Sequence, residues 1–232
     1  MNLGPRLAAS PHVRADLPHR PEHWLTLGNR GGGPFAGFGE WNLGRRAGVS
    51  GSVAGFKRLK VKPGLAPMEA KLVDALPAGD GWHYEPKWDG FRCLVFRDGD
   101  DVELQSKSGK PLARYFPEVA DIVRGVRADR FVIDGELAIP LGEGPSFGAL
   151  QMRLHPPGSR IRKLARETPA QLILFDCLES EGRALLDRPL VERRVALERF
   201  HQGTSDPSLQ LSPHTDEHAL AQAWLDSAGA VL

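Results

Sequence analysis

The stretch Trp82-His83-Tyr84-Glu85-Pro86-Lys87-Trp88-Asp89-Gly90-Phe91-Arg92 sets a lysine two residues after a glutamate and two before an Asp-Gly pair. A lysine at the end of a strand, partly desolvated and near other cations, loses its proton near neutral pH and becomes a nucleophile. Attack of that amine on the α-phosphate of a nucleotide gives a phosphoramidate. Such a reaction needs a divalent ion, basic groups on the phosphates and an aromatic surface for the base. Taken alone, Lys-x-Asp-Gly also fits a plain strand–turn–strand, because so short a pattern arises by chance.

Both flanks of Lys87 read as strands. Phe91 to Phe96 is a nearly continuous apolar run, and Val102 and Leu104 alternate with Asp101, Glu103 and Gln105. Asp98-Gly99-Asp100 joins the two as a hairpin signal, so an antiparallel pair is expected. Pro117 opens a helix whose Val119, Ile122, Val123 and Val126 form one apolar stripe. Phe131 to Ile133 and Leu137 to Ile139 flank Asp134-Gly135-Glu136, and Leu172 to Cys177 is a further buried strand. Near the end, Leu220, Ala221, Trp224, Leu225 and Ala228 share a helical face, with Asp216 and Glu217 at its N-terminus. Antiparallel strands with interspersed helices give an α+β class rather than a βαβ repeat.

The 232 residues carry 30 basic and 29 acidic side chains, a net charge of +1, which excludes a polybasic binder; any nucleic-acid contact must use a local patch. No apolar run approaches the roughly 18 residues of a membrane span, and the start does not read as a signal peptide. The two cysteines, Cys93 and Cys177, sit inside apolar runs and read as core residues of a cytoplasmic protein without disulfides. Residues 1–56 are rich in Gly, Pro and Arg and lack a sustained period, so they read as a disordered leader or a start-site artefact. Gly31 to Gly39 follows no strand and precedes no Lys-Ser/Thr, which argues against a phosphate loop. His83, His201, His214 and His218 show no metal-ligand spacing.

Further motifs follow the lysine in order: Ser106-Lys107-Ser108-Gly109, Arg114-Tyr115-Phe116-Pro117-Glu118, Phe131 to Leu137 around Asp-Gly-Glu, and Ser146-Phe147-Gly148-Ala149-Leu150-Gln151-Met152-Arg153. Leu174-Phe175-Asp176-Cys177-Leu178 and Arg188-Pro189-Leu190-Val191-Glu192-Arg193-Arg194 complete the series. From about Leu65 onward the chain resembles the nucleotidyltransferase (adenylation) domain of bacterial ATP-dependent DNA ligases, of the LigC type and the ligase part of LigD. The resemblance implies an antiparallel-sheet α+β domain over residues 57–232. It also implies ATP with Mg2+ or Mn2+ as cofactors, and nicked duplex DNA as partner in repair or recombination.

By the same resemblance Lys87 would be the adenylated nucleophile. Glu85 would read the adenine edge, and Arg92 would lie over the ribose and the DNA 5′-phosphate. Glu136 would contact the ribose or support a metal ion, and Phe175 would stack on the adenine. Asp89 would hold the lysine loop. Each has a structural counterpart: Glu85 and Arg92 as a pair across strand ends, Phe175 as core, Asp134-Gly135 as a turn. The family's Ser-Arg-x-Gly segment has Lys107 here, which keeps the charge and loses the bidentate grip on phosphate. Arg153, Arg160, Arg162 and Lys163 form a basic run that would face a DNA backbone, or else a solvated helix face.

The family pattern continues past Leu232 into a further metal-binding carboxylate motif, a lysine pair and an oligonucleotide-binding barrel. Without them the expectation is a truncated adenylation domain that does not seal nicks alone, or one completed by a separately encoded C-terminal segment. The alternatives are a non-catalytic nucleotide- or DNA-binding remnant, and another lysine nucleotidyltransferase such as an RNA ligase or capping enzyme.

Overall fold

Strands form where β-branched and aromatic residues cluster between turn signals, and among the described residues two larger sheets and one two-stranded ribbon result. The computed structural model describes residues 13–16, 24–27, 55–73, 75–141 and 144–229. The chain divides into two compact units: residues 1–47, 68–88 and 212–232, and residues 48–67 with 89–211.

In the first unit, β1 (Val13–Asp16), β2 (Trp24–Leu27), β3 (Ala70–Val73) and β4 (His83–Pro86) form a sheet in the order β3-β2-β1-β4. The pairs β1–β2 and β1–β4 are antiparallel and β2–β3 is parallel. Two of these strands fall in the expected leader. The rest of residues 1–54, including Gly31 to Gly39, lies outside the described residues.

The second unit is built on β5 (Phe91–Asp98) and β6 (Asp101–Ser106), the antiparallel hairpin expected around Asp98-Gly99-Asp100. After α1 (Pro117–Gly125) comes β7 (Arg130–Ala138), then the short pair β8 (Pro140–Leu141) and β9 (Gly144–Pro145). Helices α2 (Phe147–Met152) and α3 (Gly158–Glu167) lead to β10 (Gln171–Ser180), β11 (Arg183–Ala184), α4 (Leu190–Gln202) and β12 (Leu209–Leu211). The six strands run β11-β10-β7-β5-β6, with β12 parallel to β10 and the rest antiparallel. The last helix, α5 (His218–Gly229), belongs to the first unit, where Ala221 packs with Leu76 and Tyr84. Leu220, expected on that apolar face, is instead exposed.

The two faces of the larger sheet differ. Cys93, Val95, Phe131, Ile133, Leu174 and Cys177 form one core with Val119 and Val123 of α1, Leu150 of α2, and Leu197 and Phe200 of α4. Leu94, Phe96, Val132 and Leu178 point the other way and are covered by Phe56, Leu59 and Val61. This covering segment is pinned by polar contacts. Glu179 accepts hydrogen bonds from the Lys60 and Val61 amides at 2.7 Å each, and Asp98 accepts from the Arg58 amide at 2.8 Å and its Nε at 2.5 Å. Burial works to raise the Asp98 pKa, but those hydrogen bonds and the Arg58 charge outweigh it and hold it below the ordinary value. Phe56, placed in the leader by the sequence reading, belongs to this core.

Candidate nucleotide site

Alternation decides what stands beside the dry patch. Side chains two apart on a strand share a face, so Arg92 follows Leu94 and Phe96 on β5, and Asp134 and Glu136 follow Val132 on β7. The register puts Arg92 opposite Glu136 and Leu94 opposite Asp134. The same face of three strands therefore changes from aliphatic to charged within about two residue pairs.

Arg92 grips Asp134 with both arms, Nε to Oδ1 and Nη2 to Oδ2, each at 2.6 Å. Such bidentate pairs fix a guanidinium in direction as well as position. Its Cζ lies 4.5 Å from the centroid of the Phe175 ring, a cation–π distance. Burial works to lower the Arg92 pKa. The charges of Asp134, Glu136 and Asp176 outweigh it, and the guanidinium is held above its usual value. Cys93 turns away into the core, and burial, aided by the Asp134 and Glu136 charges, pushes its thiol well up.

Phe175 reaches this face through a β-bulge. The β10–β7 register shifts between Leu174 and Asp176. Both Leu174 and Cys177 thereby turn toward the helices, and two residues between them are re-aimed, as bulges near sites commonly do. Phe175 meets Arg92. Asp176 is buried and accepts from Nε of Arg193 on α4 at 2.8 Å, which ties the bulge to the helix behind it.

The glycines of both motifs are steric requirements. A Cβ on Gly135 would lie 2.6 Å from the Ile173 carbonyl oxygen, and one on Gly90 would overlap the Leu137 carbonyl and come within 2.8 Å of Glu136 Cγ. Asp134-Gly135-Glu136 is thus mid-strand, not the turn its composition allows. Gly90 clears the space over which Glu136 lies.

The remaining expected residues separate by unit. Glu85 is buried on β4, and half-buried Lys87 follows that strand directly; both belong to the first unit. Next to them the Trp88 indole donates to Ser212 Oγ at 3.0 Å, fixing the residue after the lysine. Lys107 is exposed in the turn after β6, where the Gly109 amide donates to the Ser106 carbonyl at 2.9 Å.

Arg153 does not belong to the exposed basic run in which the sequence reading put it. It is 0% exposed, paired with Glu118, donates to the Tyr115 and Thr168 carbonyls at 3.1 and 3.2 Å, and stacks on Phe116. A side chain so enclosed does not reach a phosphate backbone; it pins α2 to the start of α1. Arg160, Arg162 and Lys163 do lie exposed on α3. Asp134 and the Asp176–Arg193 pair were missed as partners, although a carboxylate two residues from Glu136 inside an apolar strand is a readable signal.

Among the described residues, no three His, Cys, Asp or Glu side chains converge as a metal cage. Mg2+ typically takes one or two carboxylates and fills its remaining positions with substrate phosphates and water. Glu136, with Asp134 engaged by Arg92, fits that kind of site and no all-protein one.

Residues 63–229 match the family model described as the ATP dependent DNA ligase domain. DNA ligase C of Mycobacterium tuberculosis is 46% identical over 170 residues, covering 72% of this chain and 47% of that protein. DNA ligase C2 of Mycolicibacterium smegmatis is 45% identical over 166 residues, covering 72% and 46%. The crystal structure of the ligase domain of M. tuberculosis LigD superposes with a TM-score of 0.50 at 30% identity, covering 63% of this chain and 44% of that one. The chain spans about half the length of the ligases C it matches. The match takes in both Asp-Gly motifs, the bulged β10 and the residues gathered around Arg92, and this chain belongs to the ATP-dependent DNA ligase family.

Proposed function

We propose that the chain carries out the adenylation chemistry of an ATP-dependent DNA ligase, with Lys87 as the nucleophile. Lys87 Nζ attacks the α-phosphate of ATP. An N–P bond forms, the P–O bond to pyrophosphate breaks, and the amine gives up a proton. The AMP would then pass to the 5′-phosphate of a nick in duplex DNA, the N–P bond to Lys87 breaking as the phosphate–phosphate linkage forms. The 3′-hydroxyl would attack the 5′-phosphate and release AMP as the strand is joined.

The observation that carries this reading is the cluster of half-buried Arg92 with buried Asp134, Glu136 and Phe175 on one sheet face, in a family member whose lysine motif precedes it in the chain. Two carboxylates and a guanidinium gathered on a largely apolar sheet face are costly to keep without a ligand to serve. Arg92, held in direction by Asp134, offers hydrogen bonds to ribose or phosphate oxygens. Glu136 accepts from a ribose hydroxyl or holds a magnesium ion, which when bound neutralises charge on the phosphates. Glu85 offers an acceptor to the base edge and Lys107 a cation near the phosphates, while Phe175, fully buried with the Arg92 guanidinium over its ring, would stack on the base once uncovered. Arg160, Arg162 and Lys163 on α3 neutralise DNA phosphates.

Intact mass after incubation with ATP and magnesium tests the first step. A gain of one AMP that is absent in Lys87→Ala supports the assignment. A folded chain that binds ATP or DNA and never gains the mass would point to the non-catalytic reading instead.

A further inference from the structure

A groove of about 870 Å³ lies on the second unit, floored by Val126, Leu185 and Phe200 and walled by the outer side of α4. It continues past Val126, Arg127 and Gly203 into a hollow of about 440 Å³. Neither is lined by any residue assigned to nucleotide or DNA above.

Helix α4 buries Leu197 and Phe200 in the core, yet it also presents Val191 and Val195, one turn apart, at 55% and 42% exposure. β-branched residues are weaker helix formers than Lys, Glu or Ala, so neither helix propensity nor solubility favours two valines there. Both line the groove, with Arg199 one turn further along.

The rim is unbalanced in charge. Arg127, Arg130, Arg183 and Arg199 line it, and none has an ion-pair partner among the described residues. Its acids are largely engaged: Glu192 pairs with Arg188 at 2.8 Å, and Asp129 faces Arg58 at 3.3 Å. Glu181 alone remains against four guanidiniums. The whole chain carries only +1, so this is a local concentration of positive charge around an apolar floor. A nucleic-acid backbone would meet the arginines and leave the valines wet. An amphipathic peptide satisfies both.

We propose that this groove docks an acidic, amphipathic segment of a partner protein. Its apolar side chains seat on Val191, Val195 and Phe200, and its carboxylates pair with Arg127, Arg183 and Arg199. Arg-rich rims around aliphatic and aromatic floors concentrate binding energy in a few anchors, with the charges adding rate and selectivity.

The test uses the full 232-residue chain and a fluorescein-labelled helical peptide with leucines on one face and glutamates on the other, read by fluorescence anisotropy. Saturable binding is expected, weakened about tenfold or more by Val195→Glu and by Arg199→Gln. It should be unchanged by Arg160→Glu on α3 and absent for the same peptide with lysines in place of glutamates. Methyl spectra of valine-labelled protein should show Val191 and Val195 shifting on titration; this readout stands even if Val195→Glu misfolds. Equal affinity for the lysine peptide, no saturable binding, or unmoved valine methyls would overturn the proposal. So would displacement of the peptide by duplex DNA whose own binding falls in Val195→Glu.

Discussion

Two ends of one sheet face obey the same strand geometry and do opposite things. At one end Leu94, Phe96, Val132 and Leu178 lie dry under Phe56, Leu59 and Val61. At the other, the same strands present Arg92, Asp134, Glu136 and Phe175. Burial does not separate them, since Asp134 and Glu136 are only 3% and 6% exposed. What separates them is the cost of being buried. The dry end lowers the free energy of the fold by removing apolar surface from water. The charged end must spend hydrogen bonds and ion pairs merely to offset desolvation. A fold gains nothing by alternating so, and the charged end is therefore where function is expected.

The comparison can be broken first at the dry end. Phe96 is fully buried and meets Phe56 edge-on at 6.5 Å between centroids. Phe96→Ala should cost about 3–5 kcal/mol of stability, read as a fall in thermal midpoint, while the proposed adenylation, measured per folded molecule, should stay as it was. A comparable loss of specific activity would mean the two ends act as one site.

Next in size is the opposite experiment. Glu136→Gln keeps volume and removes charge, so stability should change by about 1 kcal/mol or less. If Glu136 acts on the nucleotide, the rate of AMP attachment should fall by about 10²–10³ in a mass time course. A large drop in stability with an intact rate would turn Glu136 into a structural partner of Arg92.

Much of this was legible in the sequence, and the reasons are local. The β5–β6 hairpin, α1 and β10 follow from turn residues and periodicity, which act between near neighbours. Arg92, Glu136 and Phe175 were singled out through motif order. Their mutual geometry was not, because it depends on register between β5 and β7 and on a bulge in β10 that no local pattern announces. Arg153 shows the limit most sharply. Its place in a basic run suggested solvent, whereas its long stem reaches Glu118, thirty-five positions earlier in the chain. Asp134-Gly135 was equally ambiguous: composition suits a turn, and only the approach of β10 shows why glycine is needed mid-strand.

That approach sets the third expectation. Gly135→Ala would push a methyl against the Ile173 carbonyl and should cost about 1–3 kcal/mol through strand displacement. Because Glu136 and the bulge at Phe175 flank that contact, nucleotide affinity should fall along with stability. Loss of stability alone would mean that the bulge moves independently of β7, and the two ends would then be coupled less tightly than their shared strands imply.

The smallest effect sharpens the contrast between buried and exposed cations. Arg160 is exposed on α3, whereas Arg153 is enclosed. Removing Arg153 leaves the partly buried Glu118 without its cation, held among the described residues only by the Ala170 amide at 3.1 Å, a destabilising change of up to about 3–5 kcal/mol. Removing Arg160 leaves nothing buried behind. If Arg160 contacts a DNA phosphate, Arg160→Ala should make the dependence of log affinity on log salt shallower by about 0.9, with the thermal midpoint unchanged. A salt slope identical to that of the unmodified chain would assign the outer face of α3 to solvent, and the two arginines would then differ only in what each does for the fold.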